Sequence, residues 1–583
     1  MYYDFQIDIP KVPGKITLKN KGDVTYVLYE YARIYKPEKR YNIPRRTIIG
    51  KLNEDSTKMY PNDKYPEYFP DTVLPEERSD AYRSCCLKIG SYVIINKILE
   101  EYKLPTMLSE WIPDNLGLFL DLVSYLIVNE ENAAQYYPDY AFNHPLFTEH
   151  MKIYSDSTVS RFLSKMTIDQ SVGFLDDWNK YRDHKERIYV SYDSTNKNCQ
   201  AGDIDIVEFG KAKDEKGLPI FNLALAFDTT NQTPLFYEQY PGSINDVSQF
   251  TFMVDKVIEY GYKKMGFILD RGYFSKDNIR YMDKNGYEFV IMVKGCKPLI
   301  SKLVDENLHT FETDRSCRIR SYKIYGTSLE QNLFDDDTKN RYFHLYYDPK
   351  KQAAEREQLE QRIDKYNLFL EKHEGKEIAF GKTYSDYFTL HYDNKGIFLY
   401  AEERTDVIQS ELDRCGYFCI VTSEKMTAEE ALVHYKGRDI SEKLFRTDKT
   451  FIGSGSMRVQ TQQSMSAKIF IEFVALIVRN RIYNLLKEEM LKIETKNNFF
   501  TVPAALREME KIEMVRRNNG TYRLDHAISR KQKMILGAFG LDEKYVRQKA
   551  TEISKLLSNS QPLYEAIEEG DGLDEQEEDD YIY

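Results

Sequence analysis

Residues 265–274, Met265-Gly266-Phe267-Ile268-Leu269-Asp270-Arg271-Gly272-Tyr273-Phe274, run a short apolar segment straight into a charged turn. An uncharged run of this length reads as a buried strand, which Asp270 ends. A second such pairing lies upstream, where Ile188-Tyr189-Val190-Ser191-Tyr192 is rich in β-formers and ends at Asp193, with Ser194-Thr195-Asn196 where a strand would stop. Between the two, Phe221 to Phe227 and Leu235 to Gln239 flank Asp228-Thr229-Thr230-Asn231-Gln232 and read as a hairpin, followed by a helix from about Val247 to Tyr260. Downstream, another helix leads to a strand from Tyr287 to Val293. The order is β-β-β-α-β-α-β. One aspartate after a strand is ordinarily a turn or cap residue. Two of them, ending strands that this layout sets side by side, form a candidate site, because sites in mixed α/β sheets gather at the carboxyl ends of strands.

Residues 427–449, T-A-E-E-A-L-V-H-Y-K-G-R-D-I-S-E-K-L-F-R-T-D-K, read as one helix. Thr427 and Glu430 fit a capping box, in which each side chain satisfies a free amide of the first turn. At about 100° per residue, Tyr435, Arg438, Glu442 and Lys449 fall within roughly 60° of one another, while Val433, Ile440 and Leu444 fall on the opposite side. The expected helix buries its Val433 side and presents a carboxylate flanked by two cations and a phenol. An ordinary amphipathic helix with a salt-bridged outer face has the same pattern.

The spacing Tyr435-x2-Arg438-x3-Glu442-x6-Lys449 matches without a gap the signature around the third acidic residue in one large branch of the bacterial DDE transposases, the insertion-sequence family numbered four, and the chain resembles that family. Asp193-Ser194-Thr195-Asn196 and Asp270-Arg271-Gly272-Tyr273 also look like its motifs around the first two acids. The resemblance implies an α/β fold with a ribonuclease-H-like mixed-sheet core; the residues outside its motifs add an insertion domain that interrupts it, an N-terminal β module and helical flanking domains. It implies a catalytic, metal-binding triad of Asp193, Asp270 and Glu442, with Tyr435, Arg438, Lys449 and Arg271 on DNA. The implied activity is cut-and-paste DNA transposition: phosphodiester hydrolysis at the ends of a mobile element, then joining to target DNA. The implied partners are double-stranded DNA, both element ends and target, and a second copy of the chain pairing two ends.

Three carboxylates in a small volume repel one another unless cations neutralise them, so the triad calls for divalent metal, two Mg2+ about 4 Å apart, with Mn2+ able to substitute. Hard oxygen ligands disfavour zinc. Cys415 and Cys419 share a strand face and His434 follows, but a two-thiol cluster without a second pair reads as buried packing. No Walker-type glycine loop is present, and no nucleotide cofactor is implied.

At 583 residues the chain exceeds a single core. Its 42% hydrophobic and 14% aromatic content is globular. The start, Met-Tyr-Tyr-Asp-Phe, does not read as a secretory leader. The most apolar run, Ile469 to Val478, contains Glu472 and is about half a membrane span. Seven cysteines, an odd number, make no disulfide framework and fit a reducing compartment. These features point to a soluble, cytoplasmic protein without a membrane partner, and the resemblance implies a bacterial, nucleoid-associated one.

Charge divides the chain further. Residues 565–580 hold ten acids and no base, leaving a net of −2 from the overall −12 on everything before them. That acidic tail reads as a solvated end. Residues 11–51 hold eleven Lys and Arg against three acids, a net of +8. There Val24 to Tyr35, a turn at Lys36-Pro37-Glu38-Lys39, and Tyr41 to Leu52 read as a basic, tyrosine-rich β module suited to phosphate contact, or as a small β domain with a solvated rim.

The expected organisation is therefore a basic β module at 1–60; a helical segment at 61–180, expected to bind DNA ends; core at 181–300; an insertion at 301–415; core with the signature helix at 416–490; and a helical region with an acidic tail at 491–583. Residues 60–75 read as a linker. The helical segment shows its pattern at Leu87 to Tyr102, Leu116 to Val128, and Ser157 to Met166 with Ser157 as N-cap. The insertion follows from the 172-residue separation of Asp270 and Glu442. It carries β-like runs at Ile319 to Tyr325 and Arg341 to Tyr347, and a charged helix with Leu359, Ile363, Tyr366 and Leu370 at helical spacing. Gly416 to Thr422 re-enters the core, Gly453-Ser454-Gly455-Ser456 is a flexible break, and Ser464 to Glu488 is an apolar helix whose Arg479 and Arg481 could reach DNA or snorkel at the surface. Two alternatives to a transposase are a ribonuclease-H-like DNA nuclease that never joins strands and a non-catalytic, transposase-derived DNA-binding protein. Intact acids at all three positions argue against the latter.

Overall fold

The computed structural model describes residues 6–559 apart from 22–23, 37–40, 54–56, 63, 71–82, 183–185, 202–203, 211–216, 245, 294–296, 338, 439–455, 494–497 and 518–519. The chain divides into two compact units, one of residues 1–82, 152–159 and 562–583, the other of 83–151 and 160–561.

In the first unit β1 (Ile7–Asp8), β2 (Ile16–Lys21), β3 (Val24–Lys36), β4 (Tyr41–Leu52) and β5 (Lys58–Pro61) form an antiparallel sheet in the order β1-β5-β4-β3-β2. The β3/β4 hairpin is the one its β-branched and aromatic runs call for. Residues 37–39 of the expected turn lie outside the described residues. Val27, Ile49, Met59 and Tyr65 make a small core. Buried Glu30 holds Arg33 at 2.5 Å and Arg46 at 3.4 Å, so two of the module's bases are satisfied internally. β4 requires Gly50, where a Cβ would stand 2.7 Å from the Tyr60 carbonyl oxygen.

The second unit opens with β6 (Cys86–Lys88) and α1 (Gly90–Glu101). The helix expected from Leu87 begins later because residues 86–88 pair with a strand from the C-terminal region. α2 (Leu116–Asn129) is buried over most of its length and carries Asp121. That carboxylate accepts the Phe147 amide at 2.6 Å, and burial pushes it up to about 7. α3 (Asp156–Lys165), whose first four residues count with the first unit, is capped by Ser155, whose Oγ accepts the Thr158 amide at 3.2 Å, rather than by Ser157. α4 (Ile168–Lys180) lies against the central sheet, with Trp178 Nε1 donating to the Pro234 carbonyl at 2.9 Å.

β7 (Ile188–Cys199), β8 (Ile220–Asp228) and β9 (Thr233–Pro241) form an antiparallel meander, followed by α5 (Asp246–Glu259), β10 (Met265–Leu269), α6 (Lys276–Asn285) and β11 (Glu288–Met292). This is the order expected from sequence, and β10 runs parallel to both β7 and β11. One expectation fails: β7 does not stop at Asp193. The polar run Ser194-Thr195-Asn196 stays in the strand because β8, buried at all nine positions, pairs with β7 from Val190 to Asn198.

The segment read as an insertion has two parts. β12 (Arg318–Ile319), β13 (Ile324–Gln331) and β14 (Arg341–Tyr347) extend the central sheet. α7 (Pro349–Glu371), the hairpin β15 (Phe388–Tyr392) with β16 (Phe398–Glu403), and α8 (Thr405–Asp413) instead share their own core of Leu359, Ile363, Leu370, Phe388 and Phe398. β17 (Tyr417–Thr422) returns between β14 and β11 and leads to α9 (Ala428–Gly437). The central order is β12-β13-β14-β17-β11-β10-β7-β8-β9, with β18 (Ser456–Met457) parallel to the far end of β7.

The 31-residue α10 (Gln462–Lys492) packs against α1, α2, α4 and β9, with buried side chains from Met465 to Asn480 at most positions. Its Arg479 is buried and donates to the Ile127 carbonyl at 2.9 Å and to Glu130 at 3.0 Å, while Arg481 meets Glu101 at 2.8 Å. Both arginines therefore bind groups of the helical layer. The C-terminal region is not wholly helical: between α11 (Val502–Met509) and the pair α12 (Arg530–Ala538) and α13 (Glu543–Asn559), β19 (Glu513–Arg516) and β20 (Tyr522–Leu524) form a small sheet with β6. Among the described residues no helix is long and apolar enough to cross a membrane.

Candidate active site

The parallel pairing of β7 with β10 runs from Ile188↔Met265 to Tyr192↔Leu269. One residue further along each strand stand Asp193 and Asp270. Residues in register on neighbouring strands share a face, so the two carboxylates project to the same side of the sheet. There the strands part. Asp270 opens a single 3-10 turn, Arg271–Tyr273, closed by the Tyr273 amide on the Asp270 carbonyl at 2.9 Å. β7 continues, and β18 takes up the same edge at Asn198↔Ser456. Asp193 thus heads a break in the sheet, its Oδ1 accepting the Ser194 amide at 2.9 Å.

The helix expected to carry the third acid lies over this face. Thr427 and Glu430 form the expected capping box, the Thr427 hydroxyl accepting the Glu430 amide at 3.2 Å and the Glu430 carboxylate accepting the Thr427 amide at 2.8 Å. Ile268, two residues before Asp270 and so on its face, packs with Leu432 and Tyr435. The expected orientation is reversed, however. Ala428, Ala431, Leu432 and Tyr435 are buried and Val433 is 49% exposed. At about 100° per residue those four fall within roughly 60° of Tyr435, on the face of Arg438. Small alanines let that side settle on the sheet, so Tyr435 and Arg438 of the expected stripe lie on the side that meets the strand ends.

The consequence is a direct contact. Arg438, the C-cap residue of α9, sets Nη1 3.3 Å from Asp270 Oδ1, with side chains 13% and 33% exposed. Its guanidinium stands 5.3 Å from the centre of the Tyr435 ring, and His434 rests on Tyr189 at 4.3 Å. Arg271 is exposed beside Asp270. Glu442 and Lys449 lie outside the described residues, as do Ile440, Leu444 and Gly453 to Gly455. Asp193, Asp270, Tyr435 and Arg438 are thus brought to one face; with Glu442 outside the description, no group of three or more His, Cys, Asp or Glu placed to hold a metal occurs among the described residues. The donors present are hard oxygens, and one has already drawn a cation, Arg438, so the pair fits a divalent ion such as Mg2+.

Sequence reading missed one feature beside the site. Lys197, two alternations beyond Asp193 and on the same face, is fully buried and donates to Glu472 of α10 at 2.8 Å. Glu472 Oε1 has no hydrogen-bond partner among the described residues. The signal was a glutamate inside the most apolar run of the chain, which a buried cation had to answer.

Residues 191–478 match the family described as "Transposase DDE domain", which supports a DDE transposase. No curated protein matches the chain. Among solved structures that match is a cryo-EM structure of a piggyBac transposase synaptic complex with hairpin DNA, at 9% identity and a TM-score of 0.33, covering 82% of this chain and 84% of that one.

Proposed function

We propose that this chain is a DDE transposase that cuts DNA at the ends of a mobile element and joins those ends to target DNA. The observation that carries the reading is the pair Asp193 and Asp270, one step beyond the last rung between β7 and β10, on the face where α9 delivers Arg438, all inside the span that matches the transposase DDE domain. The order β9-β8-β7-β10-β11, with the first two neighbouring pairs antiparallel and the next two parallel, supports a ribonuclease-H-like core.

In this reading Asp193, Asp270 and Glu442 hold the divalent cations, two Mg2+ or Mn2+, which when bound supply charge neutralisation at the phosphoryl oxygens and an activated attacking oxygen. Arg438 and Lys449 hold phosphates beside the bond that is cut, Arg438 as a planar fork and Lys449 as a point charge. Tyr435 is buried at 4% exposure, so its part is to seat the Arg438 guanidinium and offer at most its hydroxyl to DNA. Exposed Arg271 meets the backbone next to Asp270. The basic N-terminal sheet adds phosphate contacts, and two copies of the chain pair two element ends.

The test is a reaction of purified protein and Mg2+ with linear DNA carrying the two sequences that flank its reading frame. Excision followed by joining is expected. Cleavage without joining would reduce the chain to a nuclease, and neither activity would leave a DNA-binding protein only.

A further inference from the structure

Resting on that reading, we propose that Arg438 is the built-in counter-ion of Asp270: it occupies the carboxylate in the free chain and leaves it for a DNA phosphate, so that metal and DNA bind with positive cooperativity. The contact is direct, Nη1 to Oδ1 at 3.3 Å, and the arginine side is shielded at 13% exposure. A rigid element aims it. α9 is fixed at its start by the Thr427/Glu430 capping box and along its length by Ala428, Leu432 and Tyr435 in the sheet's core, and Arg438 follows directly as its C-cap, over the Tyr435 ring.

The chemistry then has few exits. Two carboxylates on one face repel, and Arg438 relieves that repulsion before any metal is present. A guanidinium does not lose its proton in a protein, so Arg438 stays a cation throughout. Release requires either a cation that outcompetes Arg438 or a second anion that attracts it. A phosphate diester matches the fork of the guanidinium in two charge-assisted hydrogen bonds. Once Arg438 turns to phosphate, Asp270 is left without its counter-ion and its affinity for a divalent cation rises. By linkage the cation raises the affinity for phosphate by the same factor. The free chain is therefore a poor metal binder, and the DNA complex a good one.

The test measures Mn2+ binding by the full chain, from the electron paramagnetic signal of free Mn2+, without DNA and with a short non-specific duplex. Without DNA, Arg438→Gln is expected to bind Mn2+ about tenfold more tightly than wild type. The duplex is expected to tighten Mn2+ binding to wild type by a similar factor and to leave Arg438→Gln nearly unchanged. Asp270→Asn, run beside them, is expected to lose the site. Unchanged or weaker Mn2+ binding by Arg438→Gln, with Asp270→Asn defective, overturns the counter-ion role while leaving Asp270 a metal ligand. Wild-type Mn2+ binding by Asp270→Asn overturns the metal reading itself. Near-ultraviolet circular dichroism checks that each variant is folded. If Arg438→Gln is not, the duplex titration of wild type decides alone: Mn2+ and duplex binding independently of each other overturns the proposal.

Discussion

Lys197→Met should be among the costliest single substitutions in the chain, although Lys197 lies outside the proposed triad. Its side chain is 0% exposed and that of Glu472 2%, with Nζ and Oε2 2.8 Å apart. Removing one member of such a pair leaves an uncompensated buried charge, which costs about 3–5 kcal/mol. Glu472 Oε1 has no hydrogen-bond partner among the described residues, which pushes the loss toward the upper end. Lys468 works the other way. It lies one turn before Glu472 on α10, its ammonium on the Arg458 carbonyl at 3.2 Å, and a shift toward Glu472 would soften the loss. Replacing both partners with apolar residues of similar volume, Lys197→Met with Glu472→Leu, should cost less than either single change and come within about 1 kcal/mol of wild type. Urea unfolding followed by tryptophan fluorescence reads this directly, because both tryptophans, Trp111 and Trp178, belong to the helical layer against which α10 packs. A single-variant loss below about 1 kcal/mol, or a double variant that costs the sum of its singles, would refute the reasoning.

Leu432→Ala should destabilise by about 2–5 kcal/mol, because Leu432 is fully buried among Ile268, Val290 and Ile420, whereas Val433→Ala, at 49% exposure, should stay within about 0.5 kcal/mol; equal effects in thermal unfolding would mean that α9 presents its other face. Asp121 is held up to about 7 by burial, so its folded form keeps a proton that the unfolded chain loses near 4. Its contribution is full at low pH and lost as pH rises through about 7, a fall of about 3–4 kcal/mol as an upper figure, and Asp121→Asn should show no such fall when stability is measured at both ends of that window. Deleting residues 1–60 should weaken DNA binding and flatten its salt dependence; an unchanged salt titration would make the basic sheet structural only.

The core was legible because its strands are short, apolar and bounded by polar turns: the run Met265 to Leu269 is β10 to the residue. Tertiary pairing decided what local sequence could not. Ser194, Thr195 and Asn196 look like a stop, yet β8 holds them in strand, and Leu87 looks helical, yet β19 draws residues 86–88 into a sheet. At the site, Thr427 and Glu430 announced the start of α9 correctly, but Val433 misled about its buried face. Alanines fit against a sheet more closely than a β-branched residue does, and hydrophobicity alone does not record that. The contact of Arg438 with Asp270, 168 residues earlier in the chain, was not legible from local spacing at all.

The most direct test of the central claim is single-turnover cleavage of DNA bearing the flanking ends by Asp193→Asn, Asp270→Asn and Glu442→Gln, with end binding measured on the same preparations. Each change removes a carboxylate charge while nearly keeping its shape. Cleavage should fall to background in all three while each still binds the DNA. Cleavage at the wild-type rate by any one of them would contradict the triad and move the site elsewhere.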